Sequence, residues 1–199
     1  MFRIAILGSA SGQNLEAIYN YFKQKDVEIT ALSDIENSDF LYKAKELGVS
    51  YKYLPYEMNF EYFSSHDFNL IALSDYRRQL QNNVLELGKF IHVHPSLLPA
   101  FKGPDAINRA FSSGVKVSGV TVHWVNEDLD GGKIIAQYPV LIGNLTHFDE
   151  YEKEIHQLED LLYPIVIDKI LKDEVFDFQD LLSSNCSNSS SCGGCGRCN

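Results

Sequence analysis

Cysteine is missing from the body of this 199-residue chain, and all four copies fall near its end, at Cys186, Cys192, Cys195 and Cys198. A body without thiols has no disulfide framework, so an apolar core must hold it. The 45% hydrophobic content over this length suffices for one domain. Positive charge is scarce as well, with 17 Lys and Arg against 27 Asp and Glu, a net charge of −10 and a pI near 5.0. That balance gives no footprint for nucleic acid or an anionic membrane surface, and an anionic ligand would need a local positive site. Long apolar runs are lacking too. The run at the start is too short for a signal peptide and is broken by Gly8, and no stretch approaches a membrane span. The expectation is a cytoplasmic protein in a reducing compartment.

What is present alternates between two periods. Residues 2–7 are a short, largely apolar run suited to a strand buried on both faces. Residues 8–13 are a turn of small residues, and 14–25 carry Leu15, Ile18, Tyr19 and Phe22 at helical spacing. Strand, small-residue loop and helix is an arrangement in which backbone N–H groups can hold a phosphate. Further strands are expected at 27–33, 49–54, 68–73 and 89–92. Helices are expected at 38–47 (closed by Gly48), 79–87 (ended by Gly88) and 105–112 (opened by Pro104, stopped by Gly114). Residues 57–65 are short for a crossover helix. The runs 115–125 and 133–141 alternate and suit an antiparallel hairpin at a sheet edge. Residues 146–172 read as a long helix interrupted at Pro164. The pattern implies an α/β fold: a mostly parallel, doubly wound, Rossmann-like sheet with a late antiparallel hairpin and a long C-terminal helix. It fills residues 1–182. Residues 183–199 are rich in Ser, Asn and Gly with nothing apolar to bury, and read as a flexible tail.

Chemistry concentrates in residues 91–142. His92 and His94 sit two apart in an extended run, so their rings share a face. Pro95 steers the chain off that strand with His94 at its tip. Residues 126–132, Asn-Glu-Asp-Leu-Asp-Gly-Gly, form an acidic, glycine-closed loop that can bring Asp130 over the strand tip. Histidine beside a carboxylate in a cleft supports proton transfer. The same His92, His94 and Asp130 are the ligand set of a facial metal site, and zinc becomes plausible if His123 joins them.

Several runs carry a resemblance: residues 94–99, His-Pro-Ser-Leu-Leu-Pro, then Phe101-Lys102-Gly103, Val120-Thr121-Val122-His123, and Leu129-Asp130-Gly131-Gly132 with Ile134, Ile135 and Gln137. Together they resemble the folate-dependent formyltransferases. The resemblance implies an Asn-x-His pair and a distant Asp as the catalytic group. His94 and Asp130 match the last two, and His92 stands where the family has Asn. It also implies a phosphate-holding turn at Gly12, Gln13 and Asn14, with Gln13 in place of a Ser, and an amine-contacting carboxylate at Glu159, where Glu159, Tyr163 and Pro164 match a Glu-His-x-x-Tyr-Pro run and Asp160 replaces its His. The folate pocket it implies is lined by Arg78, Leu80, Val125 and Asn126, with Asp75 and Tyr76 standing for a Gly and a Phe.

The implied activity is transfer of a formyl group from formyl-tetrahydrofolate to a primary amine, with glycinamide ribonucleotide of purine synthesis as the favoured acceptor. Alternatives are another amine (an amino sugar nucleotide or a peptide), hydrolysis of the folate, or an impaired domain that binds a ligand or metal. The partners would be small molecules, with no nucleic acid or membrane. The Cys-x5-Cys-x2-Cys-x2-Cys tail suits zinc, copper(I) or an iron–sulfur cluster, or is a disordered tail with incidental thiols.

Overall fold

A computed structural model describes residues 1–143, 146–177 and 179; the side chain of Gln13 and the expected tail at 183–199 lie outside the described residues. Seven strands form one sheet in the order β3-β2-β1-β4-β5-β6-β7. They are β1 (Phe2–Gly8), β2 (Val27–Ser33), β3 (Ser50–Tyr53), β4 (Leu70–Ser74), β5 (Phe90–His94), β6 (Val117–Trp124) and β7 (Ile134–Leu141). The first five pair in parallel, while β5–β6 and β6–β7 are antiparallel, as the hairpin reading expects. Helices α1 (Gln13–Phe22), α2 (Asp39–Leu47), α3 (Asn59–Ser65), α4 (Asn82–Leu85), α5 (Ala106–Ser112) and α6 (Phe148–Leu171) connect and cover the strands.

The sheet is covered on both faces because β1 is apolar on both. Ile4 and Ile6 pack into the core under α1, α2 and α6, while Ala5 and Leu7 pack into the second core with Tyr62, Phe63, Leu80 and Val84. Strand order reverses between β1 and β4, and in such sheets ligands bind in the crevice beyond the strand ends at that point. The turn after β1 and the start of α1 lie there.

Three expectations are corrected in detail. The third strand is only Ser50–Tyr53, at the sheet edge with every residue exposed. The helix expected at 79–87 is a single turn, Asn82–Leu85, because tertiary partners hold the chain before it. Arg77 N–H donates to Ser9 Oγ (3.2 Å), the Tyr56 hydroxyl donates to Gln79 O (2.7 Å), and Gln79 Nε2 donates to Glu127 O (2.6 Å). Helix α6 is not interrupted at Pro164 but runs through it. The burial of its neighbours Tyr163, Ile165 and Val166 keeps that stretch packed on the sheet, so packing overrides the missing N–H.

Candidate active site

Period-two alternation puts four functional side chains on one face. His92 and His94 of β5 lie opposite His123 and Thr121 of the antiparallel β6. The His92 and His94 ring centroids are 5.9 Å apart, and those of His92 and His123 5.3 Å. A bulge at Val122 and His123, where β6 meets β7, marks the place; bulges commonly re-aim side chains beside active sites.

The loop leaving His94 is folded back over it. Thr121, fully buried, donates to Ser96 O (2.6 Å) and accepts from Leu98 N–H (3.0 Å) and Gln137 Nε2 (3.0 Å). Arg109 of α5 donates to the carbonyls of Phe101 (2.9 Å), Gly103 (3.2 Å) and Pro104 (3.0 Å). One guanidinium thus gathers a turn that passes through positive φ at Phe101, Gly103 and Asp105. Its carbonyl at Phe101 accepts from His94 Nε2 at 3.0 Å, and its Gly103 N–H donates to Asp130 Oδ2 at 2.7 Å.

Asp130 arrives from the loop between β6 and β7. It adopts φ 47°, and the glycine after next is needed because a Cβ on Gly132 would run into the Trp124 carbonyl. Its carboxylate meets all three rings: His92 Nδ1 at 3.4 Å, His94 Nδ1 at 3.5 Å and His123 Nε2 at 3.6 Å. Burial acts to raise the Asp130 carboxyl. The ring nitrogens of His123 and His92, the Gly103 N–H and the field of His94 outweigh it and hold the group well below the usual carboxylate range. Burial lowers His94 to about 4, an effect that Asp130 and the Phe101 carbonyl only partly offset. At neutral pH the site therefore holds an ionised acid and a neutral His94.

Two recesses meet at these residues. A small hollow of ≈ 100 Å³ is lined by Arg78, Leu80, Val125 and Asn126, together with His92 and Asp130. All four residues expected to contact folate are thus brought to one wall beside the histidines. Arg78 Nε also pairs with Asp34 Oδ2 at 3.0 Å and its guanidinium lies over the Tyr56 ring. The hollow shares His92, Leu129 and Asp130 with a cleft of ≈ 840 Å³ that runs past Asn14, Asp75, His156 and Glu159.

Of the residues expected on the substrate side, Asn14 and Glu159 line this cleft. Gly12, at φ 71°, caps α1 and packs against Phe40; its conformation and the close approach both favour glycine. Gln13 opens α1. Asn14 accepts from Ser74 Oγ and donates to Asp160 Oδ1, both at 3.1 Å, so the acid in place of the resembled histidine holds Asn14. Glu159 is buried and paired with His156 Nδ1 at 2.9 Å. Burial raises the Glu159 carboxyl against the pull of His156, and the hydrogen bond to Glu159 raises His156. One turn later, the Tyr163 hydroxyl shares its proton between the carbonyls of Leu73 and Ile91, at 3.0 and 3.1 Å, and ties α6 to the ends of β4 and β5.

Sequence reasoning missed His156 as a cleft residue and put Asp75 with the folate-pocket segment rather than the cleft it lines. His156 sits three residues before Glu159, a spacing at which helical side chains meet, and that signal was available. Asp75 at φ 51° stands where the resembled family has glycine, and aspartate tolerates that conformation. The Cys186, Cys192, Cys195 and Cys198 metal reading lies outside the described residues. Among the described residues no helix is long and apolar enough to cross a membrane.

The formyl transferase family matches residues 2–167. Phosphoribosylglycinamide formyltransferase of Bacillus subtilis is 37% identical over 186 residues, which is 86% of this chain and 95% of that protein. The crystal structure of phosphoribosylglycinamide formyltransferase from Campylobacter jejuni superposes with a TM-score of 0.78 at 35% identity, covering 85% of this chain and 97% of that one. Glycinamide ribonucleotide transformylase 1 from Symbiobacterium toebii gives a TM-score of 0.81 at 29% identity, over 87% and 89% of the two chains. With the family spanning most of the described fold, and near full-length relatives on the same architecture, the chain belongs to the formyl transferase family.

Proposed function

We propose that this chain transfers the formyl group of formyl-tetrahydrofolate to the primary amine of glycinamide ribonucleotide, a step of purine synthesis. Curated relatives of Bacillus subtilis and Haemophilus influenzae and the solved Campylobacter jejuni protein are phosphoribosylglycinamide formyltransferases, and the observation that carries the reading is the meeting of His92, His94 and Asp130 where the hollow and the cleft join. The folate donor enters from the hollow. At ≈ 100 Å³ the hollow is smaller than a ligand pocket of about 300 Å³ or more, so the 126–130 loop and the segment around Arg78 must part to admit the pterin. The amine enters from the cleft, where buried Glu159 positions it and backbone N–H groups at the start of α1 receive its phosphate.

In the reaction a bond forms between the amine nitrogen and the formyl carbon, and the bond from that carbon to the folate nitrogen breaks. The proton leaving the amine passes to the His94–Asp130 pair and returns to the departing folate nitrogen. The oxygen that gains charge needs a donor, typically the largest single contribution in such reactions. His92 takes this role. Its Nδ1 lies 3.4 Å from Asp130 Oδ1, which orients the ring so that Nε2–H is offered to the oxygen. Cytoplasmic action is part of the proposal and rests on the sequence reading. The test is consumption of formyl-tetrahydrofolate on addition of glycinamide ribonucleotide. Turnover that needs both substrates supports the reading, whereas consumption without the amine identifies a hydrolase.

A further inference from the structure

The outer nitrogens of two rings fix what their inner nitrogens present. A carbonyl oxygen only accepts, so His94 Nε2, bonded to Phe101 O, and His123 Nδ1, 2.9 Å from Trp124 O, both carry hydrogen. The opposite nitrogens, His94 Nδ1 and His123 Nε2, both face the Asp130 carboxylate, at 3.5 and 3.6 Å, so each is placed to offer a lone pair to an ion bound beside it. His92 Nδ1 lies beside them, 3.3 Å from His123 Nε2 and 3.4 Å from Asp130 Oδ1. The Gly103 N–H is engaged on Oδ2. Three ring nitrogens and a carboxylate oxygen thus converge on one largely buried point, an arrangement that a bound cation would satisfy.

The geometry names the kind of cation. His92 Nδ1, His123 Nε2 and Asp130 Oδ1 form a triangle with sides of 3.3, 3.4 and 3.6 Å. Ligands held tetrahedrally at the zinc–nitrogen distance lie roughly 3.3 Å apart, so the triangle is one face of such a site. His94 supplies a further ligand atom, lying with those of His92 and Asp130 within 4.8 Å of one another. The carbonyl partners of His94 and His123 are the outer bonds that orient metal-binding histidines. We infer that His92, His123 and Asp130 form a site for a divalent transition-metal cation of the zinc type, with His94 as a fourth neighbour. The asparagine that the resembled family carries at His92 would remove one corner. If the formyl-transfer reading holds, a bound cation occupies Asp130 and the His92 ring and so blocks turnover; binding itself does not depend on that reading.

The test is cobalt(II) titration of a full-length variant in which Cys186, Cys192, Cys195 and Cys198 are all replaced by Ser, read by its visible spectrum. The expected result is one equivalent bound, with d–d bands and no thiolate charge-transfer band. In the same background His92→Asn and His123→Gln, each checked for fold by circular dichroism, should weaken binding at least about tenfold. No cobalt bound by the four-serine variant, or affinity that survives either histidine substitution, overturns the site. The readout is a spectrum, so a chain without formyltransferase activity still gives a decisive answer.

Discussion

Asp130 gathers groups from three stretches of chain: two rings from β5, one from β6, and a backbone N–H from the loop after His94. His94 and Asp130 were legible in the sequence because short motifs surround them. His123 was named from the sequence as a further zinc ligand, while the register that sets it opposite His92 is a tertiary fact. His92 is the departure with the largest consequence. A neutral imidazole has a single ring N–H to offer the developing oxyanion and is bulkier than the carboxamide it replaces, whose NH2 donates without any change of charge. His92→Asn is therefore expected to raise kcat by tenfold or more, within the roughly 100- to 1,000-fold value of one such donor. A lower kcat in that variant would mean that the imidazole is itself the required donor. His94 also links stability to pH. Its folded value is lowered from 6.5 to about 4, so the unfolded chain takes up a proton in that interval and the folded chain does not. Its contribution is complete above 6.5 and is lost as pH falls toward 4, by at most about 3 kcal/mol. Urea midpoints at pH 7.5 and 4.5 should show the loss, and a His94→Asn variant should show less of it; equal acid losses would contradict the assignment.

At the scale of elements, α6 and the 95–105 loop do the positioning. Tyr163 fastens α6 to the ends of β4 and β5 and sits four residues after Glu159, so both project from the same side of the helix. Tyr163→Phe removes the shared hydrogen bond, with an expected loss of about 1–2 kcal/mol in unfolding free energy. It should also raise KM for the amine more than it lowers kcat, because Glu159 loses its alignment while Asp130 and His94 keep theirs. A kcat effect larger than the KM effect would argue against that division. The helical and strand periods foretold these elements well where the chain packs by its own pattern, as in β1, β2 and α2. They failed at residues 79–87, read as a helix ended by Gly88, where side chains of Ser9, Tyr56 and Gln79 hold the backbone and loops in another path. Local spacing carries no record of such long-range bonds. Pro164 misled for a related reason, since the sequence does not show that α6 is packed tightly on both sides of it.

For the whole molecule, a mostly parallel, doubly wound sheet was implied by alternating strands and helices, whereas the strand order, and with it the crevice at the switch between β1 and β4, is visible only in the structure. The tail after residue 182 has no apolar residue to contribute, and the last described helix ends at Leu171. Deleting residues 183–199 is expected to leave kcat and the thermal midpoint unchanged; a large fall in either would assign the tail to the catalytic unit. The central claim is that Asp130, held by three imidazoles at the junction of hollow and cleft, moves the proton in formyl transfer. Its most direct test is the rate of tetrahydrofolate formation from formyl-tetrahydrofolate and glycinamide ribonucleotide, for the native chain and for Asp130→Asn. The account predicts amine-dependent turnover that falls by roughly 100- to 10,000-fold in the variant. Turnover that Asp130→Asn leaves intact would contradict it.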